Sequence, residues 1–310
     1  MTEARIPAPP AQENIWTTRR LLAWVAEAFT KRNLDSPKLS AEILLSHVLK
    51  AERLKLYLDP DREASKAELD TLRGLVGRAL KDEPVQYLTG EAWFFGLPLA
   101  VDKRVLVPRP CTEMMVETVL QRSRTAGDVG GAAGRASGEG VRILDLCTGS
   151  GCIAIALAKN LKSAQVIASD VSADALAVSR ANALRHGVEI DFRQGDLFGA
   201  LSESDRGTFD FIVSNPPYIP DREWAAVPAN VKNHEPTLAL RGGGDGMQLV
   251  TPIVMQSPDW LKPGGTLMVE TAAVNAGKAL KLAEDADRYA DGQTVKDLEG
   301  HDRFLLATAR

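Results

Sequence analysis

Cysteine is scarce: Cys111, Cys147 and Cys152 are the only three in 310 residues. They form no CxxC and have no histidine at ligand spacing, which argues against both a disulfide framework and a zinc site. No metal is expected, and a reducing cytoplasm is the expected compartment. A dominant charge is also missing. Lys plus Arg is 37 against 41 for Asp plus Glu, a net charge of −4. That balance argues against a broad nucleic-acid footprint. No apolar run approaches the length of a membrane span. The opening MTEARIPAPPAQEN has neither the apolar core of a secretion signal nor the Arg-rich, acid-poor character of a transit peptide.

What remains is the composition of a soluble globular chain, 45% hydrophobic and 25% charged, long enough for one large domain or two smaller ones. From about Ile15 the apolar residues recur at helical spacing. Leu21, Leu22, Trp24, Val25 and Phe29 share a face, as do Leu39, Ile43, Leu44, His47 and Val48. Ser36 is placed to cap the second of these helices, with Pro37 at its first position. A third stripe runs through Leu69, Leu72, Val76, Ala79 and Leu80. Residues 1–85 therefore read as a small helical domain. With 14 Lys plus Arg and 13 Asp plus Glu it is no basic arm. Residues 86–110 switch to short apolar runs broken by Gly and Pro, the pattern of a hairpin bridge. A helix is predicted from Thr112 to about Ser123, then a flexible Gly/Ala-rich insertion over 125–140.

From Val141 onward strands and helices alternate, which implies a doubly wound, mainly parallel α/β sheet over 111–310. Ligands of such sheets bind beyond the carboxyl ends of the strands, and the unusual residues fall there. VRILDL runs into Asp145-Leu-Cys-Thr-Gly-Ser-Gly151. The turn is Gly-rich through Gly149 and Gly151 but is neither GxGxxG nor a P-loop, so dinucleotides and triphosphates fit poorly. An acid ahead of the turn, Asp145, suits a ligand carrying positive charge. The second strand ends in Asp170, suited to a ribose diol. The third ends in Asp196, suited to an adenine amino group, with Leu197 or Phe198 to pack on the ring. A lone acid is usually a solvated loop carboxylate. Three at successive strand ends describe a nucleoside with a cationic appendage, S-adenosylmethionine.

The fourth strand ends in Ser214-Asn-Pro-Pro-Tyr-Ile-Pro220. Two prolines remove two donors and fix two φ angles. The elbow is either a loop exit or a rigid pocket wall that accepts hydrogen bonds. With the cofactor pocket beside it, it resembles class I, Rossmann-like methyltransferases that act on an amide or exocyclic amine nitrogen. The wider set EPVQYLTGEAWFFGLPLAV, VLVPRPCTE, ILDLCTGSGCIAIALA, SNPPYIP, NHEPTLALRGGGDG and LKPGGTLMVE is similar to the protein-(glutamine-N5) methyltransferases, and covers nearly the whole chain. The stretches DSPKLSAEILLSHVL and VPRPCTE resemble the release-factor branch, whose target is the glutamine of a Gly-Gly-Gln loop. Cys147 stands where that branch usually has Gly, and CTGSGCIAIA with EAWFFG is closer to the ribosomal-protein branch; the release-factor branch is the favoured one.

The resemblance implies a helical N-terminal domain, a β-hairpin bridge and a C-terminal methyltransferase domain. It implies S-adenosylmethionine as cofactor and a release factor or ribosomal protein as partner, without direct nucleic-acid binding. It assigns the substrate amide to Asn215, Pro216, Pro217 and Tyr218. Asn215 Oδ1 and the Pro216 carbonyl would accept its two N–H groups, Tyr218 would pack on it, and Asn215 Nδ2 would face the cofactor. The cofactor would be held by Asp145, Cys147, Thr148, Gly149, Ser150, Gly151, Asp170, Asp196, Leu197 and Asn215. PRPCTE adds Arg109, Thr112 and Glu113 as weaker candidates near the cofactor, and Glu113 also suits a helix cap. His234, Glu235 and Pro236 would brace the loop after the elbow, and Glu270 ends a late strand. His186 and His301 fall in predicted turns without a role. Two other readings compete: an adenine N6-methyltransferase on nucleic acid, which uses the same four-residue motif, and a non-catalytic cofactor-binding scaffold.

Overall fold

A computed structural model of the chain describes residues 15–128 and 140–310. They divide into two units. One comprises residues 15–90 together with Ala229–His234, the other Glu91–Pro228 with Glu235–Arg310.

The first unit is helical: α1 (Thr18–Lys31), α2 (Pro37–Leu49), α3 (Lys55–Leu58), α4 (Lys66–Ala79) and α5 (Val85–Thr89), with α9 (Ala229–Lys232) from far along the chain. Its core is the set the helical spacing marks out. Leu21, Val25 and Phe29 of α1 meet Leu44 and Leu45 of α2 and Leu72 and Val76 of α4. Burying each such side chain is worth about 1.5–3 kcal/mol. The start of α4 is fixed by a capping box, Ser65 Oγ with the Glu68 N–H and the Glu68 carboxylate with the Ser65 N–H. Two expectations need correction. Ser36 stands at the α2 N-cap ahead of Pro37 but makes no capping hydrogen bond, because its φ of 46° is left-handed. Residues 86–89, expected in the extended bridge, belong to α5.

The second unit opens with a hairpin, β1 (Glu91–Phe94) and β2 (Leu97–Ala100). After a 3₁₀ turn at Pro110–Thr112, α6 runs from Glu113 to Asp128. Residues 125–128 are thus helical rather than part of the insertion; the rest of that expected insertion, 129–139, lies outside the described residues. The sheet then has β3 (Arg142–Leu146), β4 (Gln165–Asp170), β5 (Asp191–Gln194), β6 (Phe209–Ser214), β7 (Leu261–Glu270), β8 (Tyr289–Lys296) and β9 (Asp302–Ala309). Their order is β5-β4-β3-β6-β7-β9-β8, parallel up to β7 and antiparallel in the last two pairings. Helices cover both faces, which is why the central strands are buried almost end to end. Ile143, Phe211 and Val213 face α6, α7 (Cys152–Asn160) and α8 (Ala173–His186). Leu144, Leu146 and Ile212 face α10 (Val250–Gln256) and α11 (Ala276–Asp285). This is a class I methyltransferase architecture.

From β3 the chain steps one way to β4 and β5, then returns to lay β6 on the other side of β3. That reversal leaves a crevice at the carboxyl ends of β3 and β6. Leu146 pairs with Ser214, and the Ser214 hydroxyl donates to the Leu146 carbonyl at 2.8 Å. The Gly-rich turn and the proline elbow therefore leave the sheet side by side.

Candidate active site

A cavity of about 1010 Å³, its open mouth included, occupies that crevice. Of the residues assigned from sequence, Cys147, Thr148, Gly149, Ser150, Asp170, Asp196, Leu197, Asn215, Pro217, Arg109 and Thr112 line it. Asp145, Gly151, Pro216 and Tyr218 do not. Gly151 sits where a Cβ would come within 3.0 Å of Ile155 and Ser179, so it permits close packing of α7 on α8. Phe198 is also absent from the wall: it is buried and stacked on Trp260 with centroids 5.6 Å apart. Leu197 alone, at a φ of 45°, turns to the cavity.

Asp145 lies beneath the turn. Its Oδ2 accepts the Thr148 hydroxyl at 2.7 Å and the Ala154 N–H at 3.2 Å, and its buried Oδ1 has no partner among the described residues. Burial, with the charge of Asp170 added, raises its pKa to about 7 despite those two donors. Asp170 accepts the Gly149 and Ser172 N–H groups, each at 2.9 Å, so it shapes the turn as well as lining the cavity. Burial raises its pKa too. Each carboxylate oxygen keeps a further lone pair for a ligand hydroxyl. Asp196 stands exposed at the rim.

Around the elbow, Asn215 Nδ2 donates to Thr112 Oγ1 at 3.2 Å. It therefore faces Thr112, not the cofactor space as the sequence reading had it. Thr112 in turn donates to Glu270 at 2.7 Å, and the Tyr218 hydroxyl donates to the same carboxylate at 2.9 Å. Burial raises the Glu270 pKa, and burial together with the Glu270 charge holds Tyr218 well above its ordinary value. Glu235 accepts Arg109 at 2.5 Å and the Val107 N–H at 3.1 Å, which ties PRP to the loop after the elbow. Glu113 accepts the Phe95 N–H at 2.8 Å and so secures the hairpin turn. Burial raises all three thiols, Cys111 to about 11 and Cys152 to about 12, so none is a thiolate at neutral pH.

Sequence reasoning did not name the apolar wall residues Val171 and Leu238. Val171 directly follows Asp170, and that adjacency was its sequence signal; in the structure it is 49% exposed. His186 ends α8 and meets the Pro98 carbonyl at 2.8 Å. Asp297, Glu299 and His301 cluster in the turn after β8, where Asp297 is engaged by the Glu299 and His301 N–H groups and by Arg303. No helix among the described residues is long and apolar enough to cross a membrane.

Comparison with known proteins adds relatives to this geometry. The PrmC N-terminal domain family model matches residues 20–90, and the methyltransferase small domain model residues 134–245. A release factor glutamine methyltransferase of Chlorobaculum tepidum is 41% identical over 96% of this chain and 99% of its own. One from Geobacter sulfurreducens is 39% identical over 94% and 96%. Among solved structures, the hMettl16 catalytic domain in complex with the MAT2A 3'UTR hairpin 6 superposes with a TM-score of 0.50. It covers 77% of this chain and 81% of that one at 16% identity, a likeness of fold.

Proposed function

Because the chain belongs to the release factor glutamine methyltransferase family, we propose that it transfers a methyl group from S-adenosylmethionine to the side-chain N5 of a glutamine in the Gly-Gly-Gln loop of a peptide chain release factor. The observation that carries this reading is the fixed polarity of Asn215. Its Nδ2 is engaged by Thr112, and its Oδ1, which accepts no hydrogen bond among the described residues, stays available beside the cavity.

The residues fit the cofactor. Asp170 and Asp196 offer acceptors to a ribose and an adenine edge, Leu197 an apolar contact, and Thr148, Gly149 and Ser150 a closely approachable turn. Cys147, Arg109 and Thr112 complete the wall, with Gly151 packing behind it. The unpartnered Oδ1 of Asp145 puts latent negative charge under the turn, and a nearby cation favours its ionised form. Bound there, S-adenosylmethionine supplies an electrophilic methyl on a sulfonium.

A carboxamide nitrogen is a weak nucleophile because its lone pair is delocalised. Asn215 Oδ1 and the Pro216 carbonyl would each accept one of its N–H groups. Two acceptors hold the nitrogen in line and favour the charge it develops as it becomes tetrahedral. Pro216 and Pro217 keep the elbow rigid and free of competing donors, and Tyr218 would flank the amide. In favourable cases positioning alone lowers a barrier by about 7–11 kcal/mol. The alkylated amide loses its proton readily, so no dedicated base is required.

A labelled-methyl assay tests the reading with unmodified release factor, its Gln-to-Ala loop variant, a large-subunit ribosomal protein and duplex DNA in parallel. Label on release factor, lost in the loop variant and with Asn215→Ala enzyme, is expected. Label confined to the ribosomal protein would move the substrate; label confined to DNA would end the glutamine reading.

A further inference from the structure

Glu270 is fully buried at the end of β7. Because Ser214 pairs with Val269, Asn215 and Glu270 emerge next to each other from adjacent strands. Among the described residues three groups converge on the carboxylate, and all three are donors: the hydroxyls of Thr112 and Tyr218, and the Cys111 thiol at 3.8 Å. A hydroxyl has one hydrogen. Once Thr112 gives it to Glu270, only lone pairs remain to face Asn215, and only the Nδ2 end of the amide can meet them. The chain of bonds Asn215 to Thr112 to Glu270 thus has one direction, and it leaves Oδ1 outward. Glu270 is fully buried and both its oxygens are held by these donors, so it is not a base for the substrate.

We propose that Glu270 is the positioning residue of the methyl-acceptor clamp, setting the amide orientation of Asn215 through Thr112 and the hydroxyl direction of Tyr218 directly. This rests on the methyl-transfer reading of the same site. A glutamine at 270 keeps the shape but has a single acceptor oxygen. It can serve Thr112 or Tyr218, and its NH₂ reverses the hydrogen bond to the other. A role in packing alone would tolerate that exchange; a role in setting direction would not.

The test is steady-state kinetics on release factor for wild type, E270Q, T112V, T112S and the E270Q/T112V double variant, with cofactor affinity measured by calorimetric titration. E270Q is expected to lower kcat ten-fold or more while the KM for release factor and the Kd for S-adenosylmethionine stay within about three-fold. T112V, which is isosteric but lacks the hydroxyl, is expected to lose as much, and T112S to restore at least half of wild-type kcat. The double variant should fall no more than three-fold below the worse single one, since both changes break one chain of bonds. E270Q with kcat within two-fold of wild type, or T112S as slow as T112V, would overturn the role of Glu270 alone. Should E270Q fail to fold, the Thr112 pair decides. Wild-type enzyme silent on every acceptor would overturn the methyl-transfer reading and this proposal with it.

Discussion

Asp145 holds a proton through the range in which other aspartates have lost theirs. Burial lifts its pKa from the ordinary 3.8 to about 7. Between those values the folded chain binds more protons than the unfolded one, so stability falls as pH rises. The contribution of this group is complete below about pH 4 and lost above about pH 7, a change of about 4 kcal/mol at most. Asp145→Asn keeps an acceptor for Thr148 and Ala154 and cannot ionise. Urea midpoints from pH 5 to 8 should therefore show wild type losing ground to the variant as pH rises, whereas parallel curves would mean that Asp145 ionises normally. Cys147, two residues on, has a left-handed φ of 60°. A side chain there costs about 1–2 kcal/mol, and a β-branched one more. Cys147→Gly should hold or raise the urea midpoint and Cys147→Val should lower it. A Val variant as stable as Gly would show that the turn relaxes freely.

At the scale of the element, the elbow is held by the glycine-rich loop LRGGGDG, residues 240–246. The Ile219 N–H donates to Leu240, the Gly242 N–H returns to Ile219, and the Asp221 N–H reaches Gly243. The glycines make this possible: a Cβ on Gly246 would lie 2.4 Å from the Tyr218 carbonyl oxygen and 2.8 Å from Asn275 Nδ2, at a φ of 83°. Gly246→Ala should cost about 2–5 kcal/mol, the sum of a left-handed penalty and overpacking. Gly264, at a φ of 78° in β7, is the control, because a Cβ there meets nothing within 4 Å. Gly264→Ala should cost only about 1 kcal/mol. Thermal denaturation of the two variants compares them, and equal losses would remove the close approach to Tyr218 as the reason for Gly246. Such contacts explain what was legible and what was not. Asp170, Asp196 and Asn215 could be placed beforehand because parallel strands aim their carboxyl ends at one edge. The bond from Thr112 to Glu270 spans 158 residues, and no local pattern announces it. β8 escaped notice because YADGQTVK is an exposed, polar edge strand whose only cue is its pairing with β9.

Among the described residues the helical unit and the sheet unit have separate hydrophobic cores. In the helical unit Leu21, Phe29, Leu44, Leu72 and their neighbours pack among themselves, and none of them lines the cavity. In the sheet unit, the carboxyl ends of β3 and β6 lead directly to Cys147 and Asn215 of the cavity wall. A ligand stabilises only what unfolds with its site. At a hundred times its Kd it adds about 2.7 kcal/mol, which for a unit of about 200 residues corresponds to roughly 5–10 °C. The helical unit, with about 80 described residues, also buries a smaller fraction of its surface on folding than the sheet unit does. Scanning calorimetry should therefore resolve two transitions, the lower one from the helical unit. Saturating S-adenosylmethionine should move the upper transition by several degrees and leave the lower within about a degree. The same experiment on an Asp170→Ala, Asp196→Ala variant should show both transitions unmoved. A single transition that shifts as one would mean that the two cores fold as one cooperative body, so that a change in the helical unit would reach the cofactor affinity.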